Sequence, residues 1–291
     1  RKEAGWPGRR RQNHAAMSEA AQPLSGRVIL VTGGGGGLGR AAALELARRG
    51  AKIVAADISP TAVAETVSLL KSLPAEAVAV TVDVANEASV ASMIRACTQH
   101  FGRLDGALNA AGIEGGRAVL HETSVENYDQ VVGVNLRGTF LCMRAELDQM
   151  IRQPPPACSV ATAAGSGAAP IDALNYSIVN VSSTAGQAAM PEFSCYSASK
   201  FAIIGLSRCA AKEYASKGVR VNTICPSTTD TPMVSRFASQ WPEWQAKQNA
   251  SFPVGRIGRP EEVAAACAFL FSPECPMMTG ACLAIDGGLG A

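Results

Sequence analysis

Several features that mark whole classes of protein are scarce in this chain. No apolar run reaches the ~18 residues that a membrane-spanning helix needs, and only three histidines are present, far apart. The nine cysteines form no CxxC pair, so neither a zinc site nor a disulfide framework is indicated. Charged residues make up 17% and apolar residues 47%, which is typical of a folded globular protein. We expect free thiols in a reducing compartment, no resident metal and no membrane contact.

Basic charge is concentrated at one end of the chain. Residues 1–16 hold five basic side chains against Glu3, which leaves 21 basic and 23 acidic residues in the remainder. That balance gives no reason to expect nucleic-acid binding. The leader also lacks the apolar segment of a secretory signal. We interpret residues 1–22 as a disordered basic leader on a cytoplasmic protein, with a segment that targets an organelle matrix as the alternative.

From residue 23 onward, short β-branched runs alternate with segments rich in Ala and Leu. The first predicted strand covers residues 27–32, the first helix 40–49, and the last strand 282–286. A long helix is predicted over 125–151. Strands that alternate with helices favour a parallel sheet covered on both faces. The predicted fold class is α/β, a single Rossmann-like doubly wound domain over residues 23–291.

A glycine-rich turn separates the first strand from the first helix. Gly33, Gly37 and Gly39 let the backbone turn tightly, so that a pyrophosphate can approach the N–H groups of a helix N-terminus. The second predicted strand ends at Asp57, which is 18 residues past Gly39. A carboxylate there can bind the adenosine ribose and repels a 2′-phosphate, so NAD is favoured over NADP. We interpret Arg40, the nearest contrary residue, as a solvent-facing helix residue.

Tyr196 and Lys200 are one helical turn apart within a helix predicted over 195–217. A free phenol has a pKa of about 10, and a neighbouring ammonium group is expected to lower it. Such a pair can exchange a proton with a substrate near neutral pH. The alternative is an exposed Tyr and an exposed Lys on a surface helix, because a Tyr and a Lys four residues apart occur often by chance.

In their order along the chain, these pieces resemble the short-chain dehydrogenase/reductase family over residues 24–288. The match includes Thr32-Gly33-x-x-x-Gly37-x-Gly39, Asn109-Ala-Ala-Gly112, Asn135, Ser183 placed 13 residues before Tyr196, and Pro226 through Thr231. The resemblance implies four catalytic residues. Tyr196 would be the general acid/base, Lys200 and Ser183 would assist it, and Asn135 would interrupt its helix to hold a proton-relay water.

The resemblance also implies the residues that contact NAD. Asp83 and Val84 would contact adenine, the turn at 109–112 would flank the adenosine, and Thr229 and Thr231 would hold the carboxamide. Ser227 stands where the family usually has Gly. The full predicted set is Gly33, Gly37, Leu38, Gly39, Asp57, Ile58, Asp83, Val84, Asn109, Ala111, Gly112, Tyr196, Lys200, Pro226, Thr229 and Thr231.

Two segments bear on the substrate. Residues 152–176 are interpreted as an inserted surface loop, with a partner or subunit contact as the alternative. Residues 231–253 are interpreted as a substrate lid, with a helix that simply packs down as the alternative; its apolar residues are Met233, Phe237, Trp241, Trp244 and Phe252. Met190, Pro191 and Phe193 add apolar surface, and no Arg or Lys is placed to bind a carboxylate or phosphate. Glu114 is expected in solvent, with a polar contact to the substrate as the alternative.

The sequence therefore predicts an NAD-dependent oxidoreductase that interconverts a small apolar or cyclic secondary alcohol and a ketone. The family resemblance implies a homo-oligomer, either a tetramer or a dimer. Two alternatives stay open, a dinucleotide-binding regulator without catalysis and a structural subunit of the same fold. The intact set of Ser183, Tyr196 and Lys200 favours the enzyme, because a regulator has no need of a tuned phenol.

Overall fold

The computed structural model describes residues 22–154, 176–240 and 249–291. Most of the predicted leader and of the inserted loop at 152–176 lies outside these ranges. The predicted lid at 231–253 is described only in part, because Trp241 and Trp244 also lie outside them. None of the described helices is both long and apolar enough to cross a membrane.

Seven parallel strands of the described chain form one sheet in the order β3-β2-β1-β4-β5-β6-β7. The strands are β1 Val28–Thr32, β2 Lys52–Asp57, β3 Ala77–Thr81, β4 Gly106–Asn109, β5 Tyr176–Val181, β6 Val219–Pro226 and β7 Cys282–Ile285. The order runs outward from β1 to one edge and from β4 to the other. This reversal opens a crevice at the carboxyl ends of β1 and β4, where ligands of such sheets bind. The predicted doubly wound α/β fold is confirmed.

Helices cover both faces of the sheet. They are α1 Gly37–Arg48, α2 Pro60–Leu70, α3 Glu87–Phe101, α4 Val125–Val132, α5 Gly138–Arg152, α6 Ser194–Tyr214, α7 Pro232–Gln240 and α8 Pro260–Phe271. Within β1, Val28 and Leu30 join the apolar cluster on one face, whereas Ile29 and Val31 join the cluster on the other. A strand buried on both faces in this way reads as a continuous apolar run, as the sequence does.

The predicted long helix at 125–151 is interrupted. A π-helical turn, Gly133–Arg137, separates α4 from α5. Asn135 lies in this turn and is fully buried, and its side chain bonds to the backbone of Ile113. Single π-helical turns within α-helices are frequent at functional sites. The interruption therefore brings a polar side chain of this element under the crevice.

Other boundaries shift by a few residues. Helix α1 begins at Gly37, three residues before the predicted start, so the last glycines of the turn already belong to its first turn. Strand β3 ends at Thr81 and not at Asp83. Asp83 lies in a turn in which its carboxylate accepts the Ala85 N–H at 2.9 Å. Both shifts arise where turn geometry overrides the apolar pattern.

Candidate active site

A cleft of about 820 Å³ follows the carboxyl ends of the strands, which is within the ~300–1,000 Å³ usual for small-molecule sites. Two predicted site residues, Asn109 and Asn135, do not line it. The predicted residues that line it are Gly33, Gly37, Leu38, Gly39, Asp57, Ile58, Asp83, Val84, Ala111, Gly112, Ser183, Tyr196, Lys200, Pro226, Thr229 and Thr231. The fold thus gathers segments spread over 199 residues, from Gly33 to Thr231, on one rim.

The glycine turn leaves no room for side chains at its tightest points. A Cβ added at Gly39 would lie 2.1 Å from the Gly33 carbonyl oxygen, and one at Gly33 would lie 2.8 Å from the Ala111 nitrogen. Gly33 also has a φ of +67°, which L-residues rarely adopt. Gly36 differs, because nothing lies within 4 Å of a Cβ placed there. This bare backbone at the start of α1 fits the pyrophosphate of a dinucleotide.

Asp57 stands at the end of β2 and supports the same turn. Its carboxylate accepts the Gly35 N–H at 2.9 Å and the Ser59 N–H at 3.0 Å. Ile58, beside it on the cleft, is 70% exposed and carries no charge. The adenosine end of a dinucleotide bound here would contact the Asp57 carboxylate and the apolar Ile58 side chain.

The prediction that Arg40 faces solvent is wrong. Its guanidinium donates to the Thr66 hydroxyl at 2.9 Å and to the Gly35 carbonyl, and it pairs with Glu65 at 3.1 Å. Thr66 in turn donates to the Gly34 carbonyl at 2.8 Å. Arg40 therefore connects the glycine turn to α2 through these hydrogen bonds and the ion pair. Position on the helix wheel could not reveal this, because the partners lie on another helix.

Tyr196, Lys200 and Ser183 meet at the centre of the cleft. The Lys200 ammonium lies 5.5 Å from the centroid of the Tyr196 ring and donates to the Val181 carbonyl at 2.9 Å. Ser183 lines the same cleft, and its hydroxyl accepts the Ala185 N–H at 3.1 Å. Ser182, the neighbour, is buried and donates to the Lys200 carbonyl at 2.8 Å, which fixes α6 against β5. Both members of the Tyr–Lys pair line the cleft, so the surface-helix alternative does not describe them.

The expected decrease in the Tyr196 pKa is not what the structure indicates. Burial raises the pKa of Tyr196 to about 12; the hydrogen bond from Ser183 lowers it, and the charge of Glu114 raises it further. Tyr196 as a whole is half-buried and borders the cleft. Burial also lowers the pKa of Lys200 to about 8. The spacing of Tyr196 and Lys200 reveals the neighbouring charge but not the free energy needed to desolvate both groups.

Asn135 lies behind the cleft, next to Lys200. Its carbonyl oxygen accepts the Ile113 N–H at 2.8 Å, and its amide donates to the Ile113 carbonyl at 2.9 Å and to Ser199 at 3.1 Å. A Cβ at Gly112 would lie 3.2 Å from the Asn135 amide oxygen and 3.5 Å from the Lys200 nitrogen. Gly112 therefore allows these two polar side chains to approach each other beneath the rim.

Asn109 was predicted to contact the cofactor, but its side chain points away from the cleft. It donates to Glu146 on α5 and to the Asn180 side chain on β5, both at 3.0 Å. Glu146 is fully buried, and burial raises its pKa to about 8. Asn180 also donates to Ser207 on α6 at 2.8 Å. Asn109 thus belongs to a buried polar network that joins the central strands to the helices behind them.

The substrate side of the cleft has mostly apolar walls. The side chains there are Ile113, Met190, Phe193, Met233 and Val234. Two charged residues interrupt them, Glu114 and Arg236. Glu114, which was expected in solvent, is half-buried. Arg236 is a cation that the sequence did not lead us to place on this side of the cleft. Arg236 stands three residues after Met233 on α7, a helical spacing that could have revealed it.

An ion pair fixes one edge of this side. Arg117 pairs with Glu192, and the Ala118 N–H donates to the Glu192 carbonyl at 3.0 Å. Glu192 has a φ of +67°. Among the residues that the structure describes, all others with a positive φ are glycines. Such conformations persist where surrounding contacts hold them, often beside functional sites. The contacts here join the loop after β4 to the segment that leads into Tyr196.

The glycine turn, the acidic end of β2 and the crevice between β1 and β4 define a Rossmann-type dinucleotide-binding protein. The family model for short chain dehydrogenase matches residues 27–241. The chain belongs to the short-chain dehydrogenase/reductase family, whose members are oxidoreductases.

Individual relatives agree with this assignment. An uncharacterized oxidoreductase of Thermotoga maritima is 39% identical over 268 residues, which cover 91% of this chain and 98% of the relative. A cis-4-hydroxycyclohexanecarboxylate dehydrogenase of Sinomonas cyclohexanicum is 38% identical, with coverage of 91% and 97%. The crystal structure of a 3-ketoacyl-(acyl-carrier-protein) reductase of Brucella melitensis complexed with NADH matches with a TM-score of 0.80 at 29% identity, covering 92% of this chain and all of that one.

Proposed function

We propose that the protein is an NAD-dependent oxidoreductase that interconverts a secondary alcohol and a ketone. The observation that carries the proposal is the meeting of the Tyr196 phenol, the Lys200 ammonium and the Ser183 hydroxyl in one cleft with a bare glycine turn. A proton-transfer group, a fixed cation and a hydroxyl donor are what the oxygen of an alcohol or ketone requires.

Each side chain has a role in this proposal. Bound NAD would supply the hydride acceptor, held by the glycine turn, Asp57 and Lys200. Tyr196 takes the proton of the substrate hydroxyl during oxidation and returns it during reduction. Ser183 donates a hydrogen bond to the same oxygen. Lys200 passes the proton from Tyr196 to a water held at Asn135, beneath Gly112, and from that water the proton reaches solvent.

The proposed preference for NAD over NADP rests on the adenosine end of the cleft. Asp57 places a carboxylate there, and Ile58 adds no positive charge. Arg40 is the nearest cation, but its guanidinium is already bound to Thr66, Gly35 and Glu65. A 2′-phosphate would meet the Asp57 carboxylate without a free cation to offset the repulsion.

The proposed substrate is a small cyclic alcohol or ketone. Apolar walls from Ile113, Phe193 and Met233 suit a ring, and a relative is named for a cis-4-hydroxycyclohexanecarboxylate substrate.

Assembly into a dimer or tetramer is part of the proposal. Phe140 on α5 and Phe201 on α6 are 44% and 46% exposed, and exposed aromatic side chains on neighbouring helices suit a contact between subunits. Light scattering would measure this assembly.

A screen by NADH absorbance tests the proposal. Purified protein is given NAD or NADP with a panel of cyclic and open-chain secondary alcohols, and the reduced cofactors with the matching ketones. Turnover of cyclic substrates with NAD is expected. Tight NADH binding by fluorescence without turnover of any compound would instead support the non-catalytic regulator.

A further inference from the structure

We infer that Glu114 selects substrates that carry a second hydroxyl group, so that a cyclic diol or hydroxy ketone is preferred over a simple alcohol. This inference rests on the proposed function and narrows its substrate class. It concerns one carboxylate on the substrate side of the cleft, outside the catalytic set.

The position of Glu114 places it beside the reacting groups. It follows Gly112 by two residues in the loop after β4, and Gly112 borders both Asn135 and Lys200. Glu114 lines the cleft and is half-buried. Its neighbours on this wall are apolar, including Ile113, Phe193 and Met233. A carboxylate at this place can contact a ligand in the cleft.

Two charges define the space around Glu114. Glu114 and Tyr196 both line the cleft, and the negative charge of Glu114 raises the pKa of the Tyr196 phenol. The Arg236 guanidinium, on the α7 side, favours the ionised form of Glu114, whereas burial disfavours it. Tyr196 would hold one substrate oxygen, and Glu114 lies where a second polar group of the same molecule would be.

The Glu114 carboxylate lacks a hydrogen-bond donor within the described part of the chain. Its oxygens are open to the cleft, so the hydroxyl group of a ligand can supply a donor in place of water. An ammonium group of the substrate would be repelled by the positive charge of Arg236 in the same space, and a carboxylate of the substrate would be repelled by Glu114. A neutral hydroxyl group satisfies the acceptor without either repulsion.

Paired substrates test the inference. The kcat/KM of the wild type is measured with cyclohexanol, with the cyclohexanediol isomers and with 4-hydroxycyclohexanecarboxylate. The best diol should exceed cyclohexanol by at least about 10-fold, since a site that hydrogen-bonds a hydroxyl rejects the analogue that lacks it. Glu114→Met should bring the ratio to about 1, Glu114→Gln should lie between, and Glu122→Gln, an exposed acid in the 3-10 turn Leu120–Glu122, should leave it unchanged.

A binding measurement separates this inference from the proposed function. In the Tyr196→Phe protein loaded with NAD, calorimetry gives the affinities of the same compounds without turnover. If the wild type oxidises no alcohol, the proposed function fails, and the binding ratio still decides the role of Glu114. Equal binding of diol and cyclohexanol, stronger binding of the carboxylate, or a diol preference that survives in the folded Glu114→Met and Glu114→Gln proteins would overturn the inference.

Discussion

The two halves of the cleft are built differently. The dinucleotide half, formed by the glycine turn at 33–39, Asp57 and Arg40, is held by contacts within the protein. The substrate half combines apolar walls with two charged side chains, Glu114 and Arg236. The first half is therefore shaped before any ligand arrives, whereas the second leaves polar capacity for the ligand. Preorganisation of this kind suits a common cofactor on one side and a particular substrate on the other.

Tyr196→Phe should have the largest effect, because Tyr196 lies where the halves meet. The phenol oxygen is lost, while the ring beneath the Lys200 ammonium stays. Loss of a general acid/base costs on the order of 10²–10⁴-fold in kcat, and NADH binding, which belongs to the other half, should change little. Turnover by absorbance and NADH affinity by fluorescence measure the two effects separately.

Tyr128→Phe is the matched control, because Tyr128 lies on α4 and is 50% exposed. It should leave both measurements unchanged. Undiminished turnover in Tyr196→Phe would remove the proposed proton transfer from the site.

Gly39→Ala should weaken NADH binding next most strongly. The added Cβ would lie 2.1 Å from the Gly33 carbonyl oxygen, so the turn must move. Overpacking of this kind costs roughly 1–3 kcal/mol, which corresponds to about 5- to 150-fold in affinity. Fluorescence titration with NADH measures the loss. Gly205→Ala is the control, since Gly205 lies on the exposed face of α6 outside the cleft lining and a Cβ there would have open space. Equal losses in both variants would show that the turn is not preorganised.

The dinucleotide half was also the more predictable one. A glycine turn between a β-branched run and a helix, and an acid at the next strand end, are local patterns whose geometry follows from the backbone. The spacing of Tyr196 and Lys200 likewise follows from the helical repeat. Most of the residues that these local patterns single out line the cleft.

The side chains of the site that the sequence did not place correctly have partners distant in the sequence. Arg40 bonds to Thr66, 26 residues away, and Asn109 bonds to Glu146, 37 residues away. The Tyr196 pKa depends on burial, which no local spacing reveals. Glu114 and Arg236 come together only because the loops after β4 and β6 flank the same crevice. Sequence patterns identify what a turn or a helix does, but not what packs against it.

Asp57→Ala should shift cofactor choice by about 10-fold toward NADP, since removal of one repelling charge is worth roughly 1 kcal/mol or more. The ratio of kcat/KM for NAD and NADP measures the shift. The variant also frees the Gly35 and Ser59 N–H groups, so thermal melting should accompany the kinetics. Asp129→Ala, on the exposed face of α4, is the control. An unaltered ratio in a folded Asp57→Ala protein would contradict the role assigned to Asp57.

The smallest expected effect on activity lies beneath the dinucleotide half. Glu146 supports Asn109, and through it the loop that borders Gly33. Its pKa is raised to about 8 by burial, only partly offset by the hydrogen bond from Asn109. An unfolded Glu has a pKa of about 4.3. Between these values the folded protein holds a proton that the unfolded chain has lost.

Glu146 should therefore make the protein less stable as pH rises from about 4.5 to about 8. The folded form binds more protons in this window, so the free energy of unfolding falls by up to about 1.4 kcal/mol per pH unit. Glu146→Gln keeps a neutral side chain of the same shape and should flatten that part of the curve. Denaturant unfolding at several pH values measures it, with Glu87→Gln, whose exposed carboxylate pairs with Arg144, as the control. Parallel curves for Glu146→Gln and the wild type would mean that the buried acid is ionised in the folded protein, and the dinucleotide half would then rest on a buried charge.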